Sequence, residues 1–334
     1  MLSQALAQGT RKSYGSAMTH IAKFHERLHQ PFHLPLSSDT ICLWMADSVD
    51  KLRYSSIRNY LHGISTLQQE FGHPNPLSSH LVWRMFKVIK RIQGHHVVRQ
   101  RLPITVSILM QADKYFDTTN LQHLCMRAAM WLGTCGLLRG GEFTAKSVTK
   151  NVLTVQHLTF YDQHNHEVDP LVDRTISPHY MSVRIEQSKT DPFRQGANVI
   201  VGNERAIRYM LEYLRARHQV LRRTPLFVND GQALSTSSLV QFTQSILQRA
   251  NVSNSDKFLG HSFRKGGATS LHEAGYPDSL IKMMGRWASF AFASYVHTPV
   301  SMLVAAGRAL RNVEELALAT TSSSLAFWDV NDLE

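Results

Sequence analysis

The sequence predicts a mainly α-helical protein with a small antiparallel β-sheet, divided into two domains. Three observations favour this class. The chain has 334 residues, 43% of them hydrophobic and only 18% charged, which is enough apolar material for two buried cores. Apolar residues recur at helical spacing through the first hundred positions. Extended segments with alternating apolar residues occur only between about 152 and 201.

Four helices are predicted in the first domain, residues 1–98. In the first helix the apolar positions follow a spacing of three or four, at Tyr14, Ala17, Ile21, Phe24 and Leu28. Ser38 is expected to cap the second helix. The third runs from about 55 to 71 and the fourth from 79 to 92, with glycine and proline breakers between them. The basic segment 99–103 has lost this periodicity and is the predicted linker.

The second domain, residues 104–300, is predicted to combine helices with a small sheet. Asn203 is expected to cap a helix that continues to Leu221. The remaining elements are helices at about 105–116, 119–138, 236–250, 261–274 and 277–284, and strands at 152–161, 180–188 and 197–201. Residues 301–334 are predicted to form a C-terminal helix and an acidic tail.

The charge of the chain suggests a polyanionic partner. The net charge is +11, and residues 1–105 hold 13 basic against 5 acidic side chains, compared with 23 and 20 in the remainder. Neutralised phosphates release counterions, so a basic first third fits a nucleic acid. A basic but inert surface fits the charge equally well.

Several functional classes are disfavoured. No apolar run is long enough to span a bilayer and no signal peptide is apparent, so a soluble, intracellular protein is expected. Cys42, Cys125 and Cys135 lie far apart, which favours neither disulfides nor a thiolate zinc site. The 18 histidines include no HExxH motif, so no metal is expected. A GxxxxGK[ST] phosphate loop is also absent, and no cofactor is predicted.

Four short motifs concentrate side chains suited to phosphoryl transfer. They are LRGGE at 138–142, SKTDPFR at 188–194, GHSFR at 260–264, and GRW at 285–287, followed by Tyr295. Transfer of a phosphodiester without a metal requires a nucleophile, fixed cations for the charge on the non-bridging oxygens, and a proton for the leaving oxygen. The four motifs together contain all of these groups.

Arginine and histidine can provide the cations and one proton transfer. Arg139 and Arg264 offer planar guanidinium groups that stay charged and can bind phosphate oxygens in a bidentate manner. His261 lies three residues before Arg264, on the same predicted helical face, and can exchange a proton with the nucleophile. Lys189, in a predicted hairpin turn, can protonate the leaving oxygen.

The aromatic residues complete the set. Trp287 can donate its indole N–H to a phosphate oxygen while its ring packs the site. Tyr295 can form a phosphotyrosine ester, which conserves the energy of the broken bond and makes ATP unnecessary. Tyr276 is a rival nucleophile, but the sequence Gly-Tyr-Pro around it is typical of a structural turn. Taken singly, each residue also has a structural interpretation, such as a surface ion pair between Arg139 and Glu142.

In this order and spacing, the motifs resemble those of the tyrosine recombinase, or phage integrase-like, superfamily. The sequences SKTDPFRQG, GHSFRKGGAT and GRWASFAFASYV are similar to those of the Crypton and DIRS-type recombinases of mobile elements. In place of Trp287 many members have histidine, which implies packing and hydrogen bonding there over acid–base chemistry. The resemblance implies Glu142 as a supporting residue and a catalytic set of Arg139, Lys189, His261, Arg264, Trp287 and Tyr295.

The resemblance also implies an architecture and partners. Residues 1–98 would be a helical, SAM-like core-binding domain, and 104–300 the catalytic domain, both lying on double-stranded DNA. The expected phosphate contacts are Arg53, Arg58, Lys87, Lys90 and Arg91, each of which is equally compatible with a solvated helix face. Members assemble into dimers and tetramers on DNA, often through a C-terminal helix, although packing of that helix on its own domain is the alternative. A eukaryotic member would act in the nucleus.

The implied function is site-specific strand cleavage and rejoining, independent of metal and ATP, for integration or excision of a mobile element. A type IB topoisomerase-like activity uses similar chemistry, but the chain length and the core-binding domain disfavour it. A domesticated DNA-binding protein without catalysis is the third possibility. The intact set of six residues speaks against it, because a site released from function need not keep all its parts.

Overall fold

The computed structural model describes residues 8–94, 101–145, 152–186, 188, 191, 195–217, 220–287, 293 and 304. The chain forms two compact units, Met1–Arg99 and Gln100–Glu334, each with its own hydrophobic core. The predicted fold class is confirmed, since helices dominate and the main sheet is small and antiparallel. The predicted domain bounds and the functions assigned to them stay predictions.

The described part of the first unit consists of four α-helices and one short 3₁₀ turn. The helices are α1 (Gln8–Arg27), α2 (Ser38–Ser48), α3 (Tyr54–Glu70) and α4 (His80–Gln93). Each turns an apolar stripe inward, so that Trp44, Ile57 and Val82 are fully buried. The predicted cap at Ser38 is wrong by one residue. Ser37 has extended backbone angles, and its hydroxyl accepts the Thr40 N–H at 3.1 Å.

The second unit is built around a central helix. The α-helices of its described part are α5 (Val106–Ala112), α6 (Leu121–Cys135), α7 (Gly140–Phe143), α8 (Glu204–Ala216), α9 (Thr236–Arg249), α10 (Ser262–Glu273) and α11 (Asp278–Met284). Residues 124–134 of α6 are all buried, which is the pattern of a helix covered on every side. The neighbours that cover it include α8, α9 and α10.

Helix α8 begins as predicted and ends early. The side chain of Asn203 accepts the Ala206 N–H at 3.1 Å, so the predicted cap is confirmed. The predicted continuation to Leu221 is wrong, because α8 ends at Ala216. Arg217 has extended backbone angles, and its Nη1 donates to the carbonyl oxygens of Pro225 and Leu226, both at 3.1 Å. These bonds direct the chain away from the helix.

The main sheet has the strand order β2-β1-β3-β4, and every pairing is antiparallel. Its strands are β1 (Leu158–Tyr161), β2 (Glu167–Val168), β3 (Tyr180–Ile185) and β4 (Ala197–Val201). The predicted first strand begins late, because residues 155–157 form a 3₁₀ turn before it. A separate hairpin pairs β5 (Val228–Asn229) with β6 (Gln232–Ala233). The strands β2, β5 and β6 were not predicted, because two residues are too few to show alternation.

Two adjacent glycines bring α10 against its neighbours backbone to backbone. A Cβ at Gly266 would lie 1.7 Å from the carbonyl oxygen of Ile104, and one at Gly267 would lie 2.1 Å from that of Thr134. The Ile104 N–H donates to the Ser262 carbonyl oxygen at 2.9 Å. Helix α10 is therefore held directly beside the end of α6, and this contact positions the GHSFR motif relative to the LRGGE motif.

Candidate active site

Arg139 and Glu142 form a buried pair at the start of α7. The Arg139 amide N–H donates to Glu142 Oε2 at 2.9 Å, and Arg139 Nη1 donates to Glu142 Oε1 at 2.8 Å. The two side chains are only 15% and 4% exposed. A surface ion pair, the structural alternative for these residues, therefore does not describe the contact. The carboxylate fixes the Arg139 guanidinium through charge-assisted hydrogen bonds.

A second arginine, Arg286, shares the same carboxylate. Its Nη2 donates to Glu142 Oε2 at 2.8 Å, and its side chain is 18% exposed. Burial lowers the pKa of the Arg286 guanidinium and the nearby Arg139 adds to this shift, whereas Glu142 opposes it. Arg286 is not among the predicted site residues, because nothing in the GRW motif indicates a contact with a carboxylate more than a hundred positions earlier.

Arg264 lies in the interior, with 0% of its surface exposed. Its Nη1 donates to the Leu137 carbonyl oxygen at 2.9 Å, and its Nη2 donates to that of Gly285. The ring of Trp287 covers the guanidinium, with 4.2 Å between Arg264 Cζ and the ring centroid. Arg264 thereby joins the end of α6 to the GRW segment. Its predicted role as a phosphate ligand stays a prediction, since here it binds backbone carbonyls.

Two residues that border this cluster have left-handed backbone angles. Leu137 has φ 47° and Arg286 has φ 56°, a region that residues other than glycine rarely adopt. Such residues persist where the surrounding contacts determine the backbone, and they concentrate at functional sites. Leu137 itself accepts a hydrogen bond from Arg264, and Arg286 follows Gly285, which accepts the other, so the unusual backbone angles occur where the buried cation is bound.

His261 occupies the N-cap position of α10, directly before the buried part of the helix. Its side chain is exposed, unlike that of Arg264 one turn later. An exposed imidazole beside the cluster can exchange protons with a bound group, which is the role predicted for it. The structure thus pairs Arg139 with Glu142 and Arg264 with Trp287, and residues 285–287 join the two pairs. It also places His261 at the start of the helix that carries Arg264.

Two predicted catalytic residues, Lys189 and Tyr295, lie outside the described residues. The hairpin that would carry Lys189 is described at both ends, by β3 and β4. On its return side the Asp191 carboxylate accepts the N–H groups of Gln195 at 3.1 Å and Gly196 at 2.7 Å. These bonds order the base of the turn, as expected for an aspartate in a turn.

The predicted DNA-contact residues are all on the surface of the first unit. Arg53 stands at the N-cap of α3 and Arg58 within it, while the others lie on α4. Within the described part of the chain none of the five forms an ion pair, so their charges face solvent. The residues in question are Arg53, Arg58, Lys87, Lys90 and Arg91.

Within the described ranges, no group of three or more histidine, cysteine, aspartate or glutamate side chains is arranged to hold a metal ion. None of the described helices is sufficiently long and apolar to cross a membrane.

Comparison with known proteins gives a family domain and a fold. Residues 173–300 match the phage integrase family. The XerH site-specific recombinase, solved in a post-cleavage complex with its difH substrate, is 15% identical with a TM-score of 0.60 over 89% of this chain and 78% of that chain. The Tn1549 transposon integrase, bound to transposon right end DNA, is 12% identical with a TM-score of 0.56 over 92% and 95%.

A lambda integrase dimer bound to a core site is 16% identical, with a TM-score of 0.52 over 87% of this chain and 89% of that chain. No curated protein matches the sequence. The family match begins after Arg139 and Glu142. In the folded chain, the ion pair between Glu142 and Arg286 connects these two residues to the matched region. The chain therefore has the tyrosine recombinase fold, and its residues 173–300 are similar to the phage integrase family.

Proposed function

We propose that this chain is a site-specific DNA recombinase that cleaves and rejoins strands through a 3′-phosphotyrosine at Tyr295. It would serve the integration or excision of a mobile element of the Crypton or DIRS type. The observation that carries the proposal is that the segment before Trp287 contacts both arginine motifs. Arg286 binds the Glu142 carboxylate that holds Arg139, and the Gly285 carbonyl oxygen accepts from Arg264, which the Trp287 ring covers. The phage integrase domain and the fold support it.

The proposed reaction is a reversible transesterification. The Tyr295 phenol oxygen attacks the scissile phosphorus and gives its proton to His261, while the bond from phosphorus to the 5′ oxygen breaks. Lys189 gives a proton to that oxygen, which leaves as a free 5′ hydroxyl. A 5′ hydroxyl from a second duplex then gives its proton to Lys189 and attacks the phosphotyrosine, which restores a phosphodiester. The bond to Tyr295 breaks, and the phenolate takes back its proton from His261. No bond energy is lost, so ATP is not required, and the arginines would supply the positive charge that a metal ion provides in other phosphoryl-transfer sites.

The arginines would stabilise the pentacoordinate phosphorus. Arg139 carries a guanidinium that Glu142 orients, and its side chain retains some exposure to solvent. Arg264 would reach the phosphate by exchanging one of its carbonyl bonds, to Leu137 or to Gly285, for a phosphate oxygen. Of the two, Arg139 is the preorganised cation, and such a cation contributes strongly because it needs little rearrangement as charge develops.

The first unit would bind the DNA backbone through its exposed basic helices. Lys87, Lys90 and Arg91 lie on α4 and have no acidic partner among the described residues. The recombining assembly would be a dimer or tetramer on DNA. The C-terminal helix proposed to link the subunits lies outside the described residues, apart from Val304.

Binding to duplex DNA is expected to weaken steeply with salt. For six to ten phosphate contacts, raising salt from about 50 to 200 mM should lower the affinity by about a thousandfold or more. Replacing Lys87, Lys90 and Arg91 together by glutamine should make the slope of log K against log salt shallower by roughly 0.9 for each residue that contacts phosphate.

Lys51→Gln is the matched control for this experiment, because Lys51 already pairs with Asp47 at 2.5 Å in the same unit. Fluorescence anisotropy with a labelled duplex gives both slopes. An unchanged slope in the triple variant would remove α4 from the proposed DNA interface.

Covalent capture tests the proposed function. Wild-type protein is incubated with nicked duplexes that carry a randomised segment, and denaturing electrophoresis separates adducts from free DNA. A 3′-linked adduct is expected, with the attached nucleotide mapped to Tyr295 by mass spectrometry. Intact duplexes carrying the captured sequence should then give joined products. Absence of any adduct from the pool contradicts the proposal, and supercoil relaxation without joined products indicates topoisomerase-like activity.

A further inference from the structure

Arg286 has no part in the mechanism above, yet its position is unusual. It adopts φ 56°, a conformation that glycine reaches with less strain, and it keeps a large side chain there. Its Nε and Nη1 are buried and make no hydrogen bond in the described structure. An arginine that served only to shape the turn would be a poor choice, because it adds both backbone strain and unsatisfied buried donors.

The contact that Arg286 does make is with the carboxylate that orients Arg139. Glu142 Oε1 accepts from Arg139 Nη1, while Oε2 accepts from both the Arg139 N–H and Arg286 Nη2. Both carboxylate oxygens are thereby fixed. The three side chains carry two positive charges and one negative charge, which leaves a net charge of +1 to meet a phosphodiester.

Without Arg286 the net charge of these side chains changes. Among the described residues, Glu142, with a side chain only 4% exposed, would then have Arg139 as its sole cationic partner, and the pair would be neutral. A buried carboxylate with one cation binds that cation more strongly, because little water is present to compete. Arg139 would then approach a phosphate with its charge compensated and its guanidinium held toward Glu142.

We propose that Arg286 is a positioning residue that shares Glu142 with Arg139 and so leaves the Arg139 charge available to the scissile phosphate. The inference rests on the proposed recombinase function. Arg286 acts through Glu142 and need not touch the DNA. Arg286 comes from the segment immediately before Trp287, whereas Arg139 lies near the start of the catalytic domain. The Glu142 carboxylate therefore links the two ends of that domain.

A charge-compensation experiment tests this inference. The single-turnover rate of adduct formation is measured on a captured nicked duplex for wild type, R286Q, and the double variant E142Q/R286Q. R286Q should lower the rate by roughly ten- to a hundredfold, the size expected when a supporting contact of a reactive group is lost. Removing the Glu142 charge as well should restore much of the rate, because Arg139 then has no competing carboxylate.

Two further variants separate positioning from folding. R286G relieves the backbone strain, so it should unfold at the wild-type temperature or above while its rate falls like that of R286Q. R205Q removes an arginine that pairs instead with Asp113 at 3.6 Å, and should keep the wild-type rate. DNA affinity should stay unchanged in all of them, since the loss lies in the chemical step.

Failure of the proposed role of Arg286 can be distinguished from failure of the proposed recombinase function. If the wild-type protein forms no adduct, the recombinase proposal fails and no rates are compared. If it does form one, a wild-type rate in R286G or R286Q overturns the role of Arg286. A double variant that is as slow as R286Q, or slower, overturns the sharing of charge through Glu142.

Discussion

Tyr295→Phe is expected to abolish formation of the covalent adduct while leaving DNA affinity unchanged. The rate should fall by roughly four orders of magnitude or more, since the phenol oxygen is the atom that bonds to phosphorus and the phenylalanine ring offers no substitute. The ring itself is retained, so packing around it should change little. Denaturing electrophoresis after incubation with the captured nicked duplex measures the loss, and anisotropy with the same duplex measures binding.

Tyr276→Phe is the matched control, because Tyr276 is the other tyrosine near the HxxR motif. The structure places it in the turn between α10 and α11, after Gly275 at φ 81°, and its side chain is 50% exposed. It should form the adduct at the wild-type rate. An adduct that persists in Tyr295→Phe, or one that disappears only in Tyr276→Phe, would show that the nucleophile has been assigned to the wrong residue.

Gly266→Ala is expected to destabilise the second unit by about 3 kcal/mol or more, near the upper end of what an added methyl group causes in a packed interior. The new Cβ would lie 1.7 Å from the Ile104 carbonyl oxygen, a backbone atom that cannot rotate away. Helix α10 would have to move from the segment before α5 and stretch the bond from Ile104 N to Ser262 O. Urea denaturation followed by tryptophan fluorescence measures the change.

Gly202→Ala provides the comparison, since a Cβ at Gly202 meets no atom within 4 Å. Its stability should change by less than about 0.5 kcal/mol. Equal denaturation midpoints for the two alanine variants would mean that α10 does not lie against Ile104 as described. Because α10 carries His261 and Arg264, Gly266→Ala should also slow adduct formation, whereas Gly202→Ala should not.

The helices were predictable because their apolar spacing is a local property of the sequence. The stripe through Ile21 and Phe24 indicates α1, and the side chain of Asn203 marks the start of α8. The end of α8 was not predictable in this way. It depends on bonds from Arg217 to the carbonyl groups of Pro225 and Leu226, which only the folded chain brings within reach.

The same distinction applies to the candidate site. The sequence predicts Arg139, Arg264 and Trp287 as site residues, because each stands in a recognisable motif. Arg286 has no such signal, since its significance lies in sharing Glu142 across the fold. The burial of Arg264 was equally hidden, because its carbonyl partners belong to turns whose backbone angles the sequence does not specify.

The central claim is that four distant motifs and Tyr295 act on one phosphate. Its most direct test is a structure of the Tyr295→Phe protein bound to the captured duplex. We expect a single phosphate within hydrogen-bond distance of the Arg139 and Arg264 guanidinium groups, with the aromatic ring at position 295 beside its phosphorus. A phosphate beyond the reach of both arginines, with the ring turned away in every subunit, would contradict the account.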